Sequence, residues 1–227
     1  PFYQRAYVWN REEQWGPLWE DIRDKAEARI QDNKPVPHFM GAVVLEPQKK
    51  LGLLGVERHH IIDGQQRLTT MQYVLTALCH VLREAGQTAL LSVVDACLNN
   101  PNPETMEDRE VERFKLWPTF RDRQQFVSAM TAANYEQLQE RFADSFTRQG
   151  TLRKIGEDHP PALEAICYFR EAMQEWAKSD RETPPAQLMA ALASAILTDL
   201  SIVCISLGEE DDAQVIFETL NGRGAEL

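Results

Sequence analysis

The sequence predicts an α+β domain in which two strand–turn–helix features bracket a large helical insertion. Two observations carry this. β-like runs lie at residues 39–45, 56–62 and 200–207, near both ends of the chain. Between them, from Leu68 onward, apolar residues recur with the 3.6-residue period of a helix.

The elements follow in order. Tyr3, Tyr7, Trp9, Trp15 and Trp19 crowd into the first section. Trp15, Leu18, Trp19 and Ile22 share one helical face, with Asn10 as N-cap and Glu13 as its capping-box partner. Residues 39–45 and 56–62 form a β-hairpin, with a loose loop at Lys49 and Lys50. The second strand runs straight into Asp63-Gly64, and a helix begins after Arg67. Leu68, Met71, Val74, Leu75, Leu78, Val81 and Leu82 form its apolar face, and Gly86 is its natural stop. Helices then continue to about Leu197, broken at 99–103, Gly150, Pro160-Pro161 and Pro184-Pro185. A strand at 200–207 returns the chain, and Asp211 and Asp212 cap a helix over 213–220 that ends at Asn221-Gly222. The expected organisation is an N-terminal α/β part at 1–86, a helical insertion at 87–197, and a returning strand and helix at 198–227 that complete the α/β core.

Composition bounds the function. With 227 residues and 43% hydrophobic content, the chain can bury a sizeable core. The longest apolar runs are too short to span a membrane. The opening Pro1-Phe2-Tyr3 is not a signal peptide. Without an initiating Met, and stopping just past a motif, the chain reads as a piece of a longer protein. Cys79, Cys167, Cys97 and Cys204 stand apart among apolar neighbours, as small buried side chains in a reducing cytoplasm. They lack zinc-ligand spacing. His59 and His60 are adjacent on a strand, so they face opposite ways and do not readily ligate one metal. The net charge of −11 excludes general DNA binding by phosphate neutralisation, though not a local basic pocket.

Three stretches can carry chemistry. Asp63-Gly64-Gln65-Gln66-Arg67 sits between a strand and a helix, where free backbone N–H groups and the positive helix end favour phosphate. Gly64 allows close backbone approach, and Arg67 can fork onto phosphate oxygens. Asp63 can hold Mg²⁺ or orient an attacking water, and Thr69 and Thr70 add hydroxyls in the first turn. An ordinary turn with a solvated helix start would use the same residue types. The second stretch is Phe217 to Gly224. There Glu218 and Asn221 share a helix face, and Arg223 lies between two glycines. An ordinary helix C-cap with an exposed Arg would look alike. The third holds Tyr3, Gln4 and Arg5, where an aromatic beside an Arg can stack on a base and pair with a phosphate, or anchor the core. No P-loop pattern occurs.

Taken in order, Pro1-Phe2-Tyr3-Gln4-Arg5, Phe39-Met40-Gly41-Ala42-Val43-Val44-Leu45, Ile61-Ile62-Asp63-Gly64-Gln65-Gln66-Arg67-Leu68-Thr69-Thr70 and Phe217-Glu218-Thr219-Leu220-Asn221-Gly222-Arg223-Gly224 resemble the DUF262 family. This is the amino-terminal domain of GmrSD-type (type IV) restriction enzymes and of SspE-like phage-defence proteins. The resemblance implies a ParB/sulfiredoxin-like fold, a small mixed sheet with a large helical insertion. It implies nucleoside triphosphate (GTP, ATP or UTP) binding and hydrolysis with Mg²⁺. In that reading Asp63, Gln66 and Arg67 are catalytic, with Asp63 also on the metal. Gly64, Gln65, Thr69, Thr70, Tyr3, Gln4 and Arg5 bind the nucleotide, and Glu218, Asn221 and Arg223 close the site. Gly222 departs mildly from the polar residue common there. The implied partners are a carboxy-terminal HNH-type (DUF1524) nuclease domain or subunit and, transiently, modified DNA. Association with a second copy stays open.

The expected function is therefore an NTPase regulatory domain of a modification-dependent anti-phage restriction system. The rivals are a DNA-modification sensor that binds nucleotide without turnover, and an interaction scaffold whose motifs are structural. A further expectation is geometric. The strand ending at Asp63 and the strand at 200–207 share one sheet, and Arg67 and Arg223 face one pocket.

Overall fold

The computed structural model describes residues 6–48, 55–118, 122–153, 159–179, 182–208 and 210–223, with only the backbone for 220–223. A π-helical turn, Arg11–Trp15, leads into α1 (Gly16–Ile30). β1 (His38–Pro47) and β2 (His59–Asp63) follow, then α2 (Gln65–Glu84) and α3 (Thr88–Leu98). Short helices α4 (Arg109–Glu112), α5 (Arg123–Met130) and α6 (Tyr135–Arg141) precede the long α7 (Pro161–Ser179) and α8 (Pro185–Thr198). β3 (Leu200–Ser206) and α9 (Ala213–Arg223) end the described chain.

The three strands form one mixed sheet in the order β2-β1-β3. β1 pairs antiparallel with β2 and parallel with β3. The expectation that the strand ending at Asp63 and the returning strand share a sheet is met, with β1 between them. Both ladders slip. One break lies at Val44/Leu45 against β2, the other between Phe39 and Ala42 against β3. Each slip places an extra residue on one strand, which bends it and re-aims its side chains.

Two apolar clusters hold the molecule. The larger runs from Tyr7 through α1, α2 and the middle helices to Ile196, so the helices of 87–197 share one core with α1 and α2. α2 is its axis, packing on α3 and α7, while α1 packs on α8. A small cluster of Val44, Ile62 and Leu207 lies on the sheet, covered by Ala213, Ile216 and Phe217 of α9. Arg29 donates from Nη2 to Asp199 Oδ1 (2.6 Å), and His38 N donates to Asp199 O (2.7 Å). One residue thereby ties the end of α8 to α1 and to the start of β1.

Several expectations change in detail. Asn10 Oδ1 accepts from Glu12 N and Glu13 N, but Gln14, not Glu13, reaches back to Asn10 N. The π-helical first turn brings residue 14 to that position. The second strand begins at His59 rather than 56. α2 begins at Gln65, so Gln65, Gln66 and Arg67 belong to its first turn. α9 continues through Asn221-Gly222 to Arg223 instead of stopping there. Cys79 and Cys167 are buried, but Cys97 and Cys204 are exposed, because Cys97 lies on the outer side of α3 and the second half of β3 is exposed on both faces. His60 Nδ1 lies 3.3 Å from Glu46 Oε2, and both His59 and His60 are exposed. Among the described residues no group of three or more His, Cys, Asp or Glu gathers to hold a metal. No described helix is long and apolar enough to cross a membrane.

Candidate functional site

The centre of the site is the turn from β2 into α2. Gly64 is the N-cap residue of α2 with φ +89°, and among the described residues no side chain caps the helix start. The first N–H groups of any helix lack intrahelical partners. Those of Gln65, Gln66 and Arg67 therefore point outward at the positive end of a helix that runs to Glu84. A side chain at Gly64 would meet more than left-handed strain, since its Cβ would collide with Val43 Cγ1 of β1. Glycine is what lets the turn lie flat on β1.

Asp63, the last residue of β2, stands opposite Val44 and is half-buried. Its carboxylate has no hydrogen bond or ion pair among the described residues. Arg67 is also half-buried, and Nη1 donates to Ala42 O (2.6 Å). Its guanidinium lies over Gly41, which has φ +99°. A Cβ there would come within 2.8 Å of Nη2 and 2.9 Å of Cζ. Gln65 is half-buried with no side-chain partner among the described residues.

Gln66 has a different setting. It is 8% exposed, and both ends of its amide are engaged. Val8 N donates to Oε1 (2.8 Å), and Nε2 donates to Ala6 O (3.1 Å). The side chain thus binds the backbone of 6–8 as a neighbouring strand would. Tyr7 points inward from that segment. Trp15 Nε1 donates to Tyr7 Oη (2.8 Å), which lies 2.6 Å from Thr70 Oγ1. Thr70 in turn donates to Gln66 O (2.9 Å), so its proton is committed and Tyr7 is the donor between them. Burial pushes the Tyr7 phenol up to about 12, against the smaller opposing effect of Thr70 and Trp15. Asp122, at the start of α5, accepts from Tyr7 N (3.3 Å). Thr70 is fully buried in this chain and Thr69 is 4% exposed. The first-turn hydroxyls expected to line a ligand face the interior.

The remaining expected residues divide. Glu218 lies on α9, which packs against β2, and its carboxylate accepts from Gln214 Nε2 (2.9 Å) at an exposed position. The helix carrying Glu218 therefore flanks the strand that ends in Asp63. The side chains of Asn221 and Arg223, and the whole of Tyr3, Gln4 and Arg5, lie outside the described residues. So does the pocket expected between Arg67 and Arg223.

Reasoning from sequence missed Gly41, the Ala42 carbonyl and the 6–8 backbone. The signal for Gly41 was present, because an isolated glycine inside a β-like run marks a bulge or a close approach. The two backbone partners had no such signal.

Fold and site together define a mixed α+β domain built on an uncapped strand–glycine–helix turn, with a helical bundle behind it. The chain belongs to the GmrSD restriction endonuclease, N-terminal domain family, whose model matches residues 1–227, the whole chain. It is thus a domain of a restriction system. No curated protein matches it.

Proposed function

We propose that this domain binds a nucleoside triphosphate at the β2–α2 turn and hydrolyses it to regulate a modification-dependent anti-phage restriction system. The observation that carries the reading is the start of α2, which has no side-chain cap among the described residues, beside a carboxylate without a described partner and a guanidinium with one N–H on Ala42 O and the rest of its donors open. The N–H groups of Gln65 to Arg67, the half-buried Arg67 guanidinium and the Asp63 carboxylate, which has no partner among the described residues, are gathered within five residues. Backbone donors and a guanidinium suit phosphate oxygens.

Asp63 fits Mg²⁺ carried in with the nucleotide. Such ions commonly use one or two protein carboxylates, with phosphate and water completing the shell. When bound, the ion would neutralise charge developing on the phosphates. The chain's own residues bind and orient. Backbone N–H groups hold phosphate oxygens, Arg67 grips a terminal phosphate, and Asp63 holds the ion or aligns water. Gln65 and Glu218 contact the nucleotide, and Asn221 and Arg223 close over it. Tyr3, Gln4 and Arg5 reach the base or phosphate, delivered by a segment that Gln66 anchors. The wider reading includes a ParB/sulfiredoxin-like core, a carboxy-terminal HNH-type nuclease domain as partner, transient contact with modified DNA, and action in the cytoplasm. The family's description as the N-terminal domain of a restriction endonuclease supports the nuclease partner.

One observation favours binding without turnover. Asp63 is the only acidic residue between 61 and 70, so a second carboxylate for the ion or for an attacking water would have to come from elsewhere in the chain. The test is phosphate release by the purified chain with GTP, ATP, UTP and CTP, each with Mg²⁺, alongside equilibrium binding. Release with at least one nucleotide is expected. Binding without release establishes the sensor reading, and neither binding nor release refutes the nucleotide site.

A further inference from the structure

We infer that Gly41 is a positioning residue for Arg67, a seat in β1 shaped for its guanidinium; this rests on the reading above that Arg67 grips phosphate. Phe39 stands opposite Ser201, and Ala42 stands opposite Val203. Met40 and Gly41 therefore share the space facing Ile202, the geometry of a β-bulge. Bulges recur beside active sites because they re-aim what the strand presents. Here the bulge places a glycine at φ +99° under the Arg67 side chain. The guanidinium lies close enough that a Cβ would stand 2.8 Å from Nη2, 2.9 Å from Cζ and 3.2 Å from Nε. The next residue completes the seat, with Ala42 O accepting from Nη1 (2.6 Å).

The seat has two parts with different demands. The flat part needs the absence of a side chain, and the edge needs a backbone carbonyl turned toward the arginine. A planar fork meets both, since one N–H is spent on Ala42 and its other donors have no partner among the described residues. An arginine held this way has already lost its rotamer freedom, so little more is lost when it meets an anion. A lysine ammonium has no plane to lie on the glycine and would not reproduce the arrangement. The Phe39-Met40-Gly41-Ala42 stretch thereby belongs to the site through Arg67, although none of its side chains need touch a ligand.

The experiment is a double-mutant cycle in the full chain, with Gly41→Ala, Arg67→Ala and the pair, followed by kcat/KM and by thermal midpoint. Gly41→Ala is expected to lower kcat/KM by about 100-fold, as a misplaced catalytic group does. In the Arg67→Ala background the same change should alter kcat/KM by less than about two-fold, because coupled residues do not add. Arg67→Lys should not restore activity. Independent, multiplying losses overturn the inference. The midpoint decides it separately from any nucleotide activity. The drop caused by Gly41→Ala should be smaller where Arg67 is already Ala, since the atoms the methyl would meet are gone. An equal drop in both backgrounds assigns Gly41 to backbone strain alone and overturns the seat. Should the single variant not fold, folding of the double variant supports the seat, and its failure refutes it. A parent chain that neither binds nor hydrolyses nucleotide sinks the reading of the site, while the midpoint comparison still judges the seat.

Discussion

The two ends of α2 do opposite work with one continuous helix. From Gln72 to Leu82 every residue is buried, and the helix is enclosed on all sides by α3, α7 and their neighbours. Its first turn, by contrast, keeps Gln65 and Arg67 half-exposed and has no side-chain cap. The buried end is held by packing alone, the sum of many small apolar contacts. The open end depends on a few specific groups, namely two glycines with positive φ, a carbonyl and an amide clamp. Rigidity at one end is what allows unsatisfied donors to be held in place at the other. The stability of the molecule should therefore reside in the bundle and its chemistry at the turn.

The largest effect that can break this contrast is in the bundle. Leu78→Ala, at a fully buried position of α2, should cost about 3 kcal/mol and lower the urea midpoint accordingly. A loss under about 1 kcal/mol would mean that the bundle end is not the structural end. Next comes the open end. Asp63→Ala should reduce phosphate release by about 100-fold or more, while the midpoint moves by less than about 0.5 kcal/mol. Unchanged release would remove Asp63 from the chemistry.

Gln66 sharpens the comparison because it sits at the open end and yet is buried. Gln66→Leu keeps the volume but leaves Val8 N–H and Ala6 C=O without their partner, and should cost about 1–2 kcal/mol. Hydrogen exchange at the Val8 amide should accelerate in the variant. Full protection retained there would show that the clamp is dispensable.

The smallest effect is a pH dependence placed in the bundle. His80 is 1% exposed, Nε2 meets Ala132 O at 3.0 Å, and Nδ1 is buried without a partner among the described residues. Burial lowers its pKa below the ordinary 6.5, against the opposing pull of the Ala132 carbonyl. Arg170 and Arg83 facing it lower it further, and Glu84 raises it. The unfolded chain then binds a proton that the folded chain refuses. Stability is complete above about pH 6.5 and falls as pH drops below it, by at most about 1.4 kcal/mol per unit from this group. Urea midpoints at pH 7.5 and 5.5 should differ less in His80→Gln than in the parent. Equal differences would assign the dependence elsewhere.

What the sequence determined by itself was the periodic elements and part of their punctuation. The 3.6-residue period of α2 and the stop at Gly86 were legible, as were the β-like runs of β1 and β3, because burial on one face or in one strand leaves a local pattern. The strand–glycine–helix turn was legible for the same reason, since Asp63-Gly64 follows a β-like run and precedes a helical period, although the helix begins at Gln65 and not after Arg67. The Asp212 cap was visible too, whereas the end of α9 was not. Asn221-Gly222 permits a helix to stop but does not compel it. Only the tertiary structure decided what each site residue faces. Gln66 and Arg67 are neighbours in one helical turn, yet the helix points one at the 6–8 backbone and the other at β1. Thr70, close in sequence to both, turns fully into the core to meet Tyr7. The partners that settle these roles lie 25 to 63 residues away in the chain and are in part backbone atoms, which every residue possesses and no sequence pattern marks.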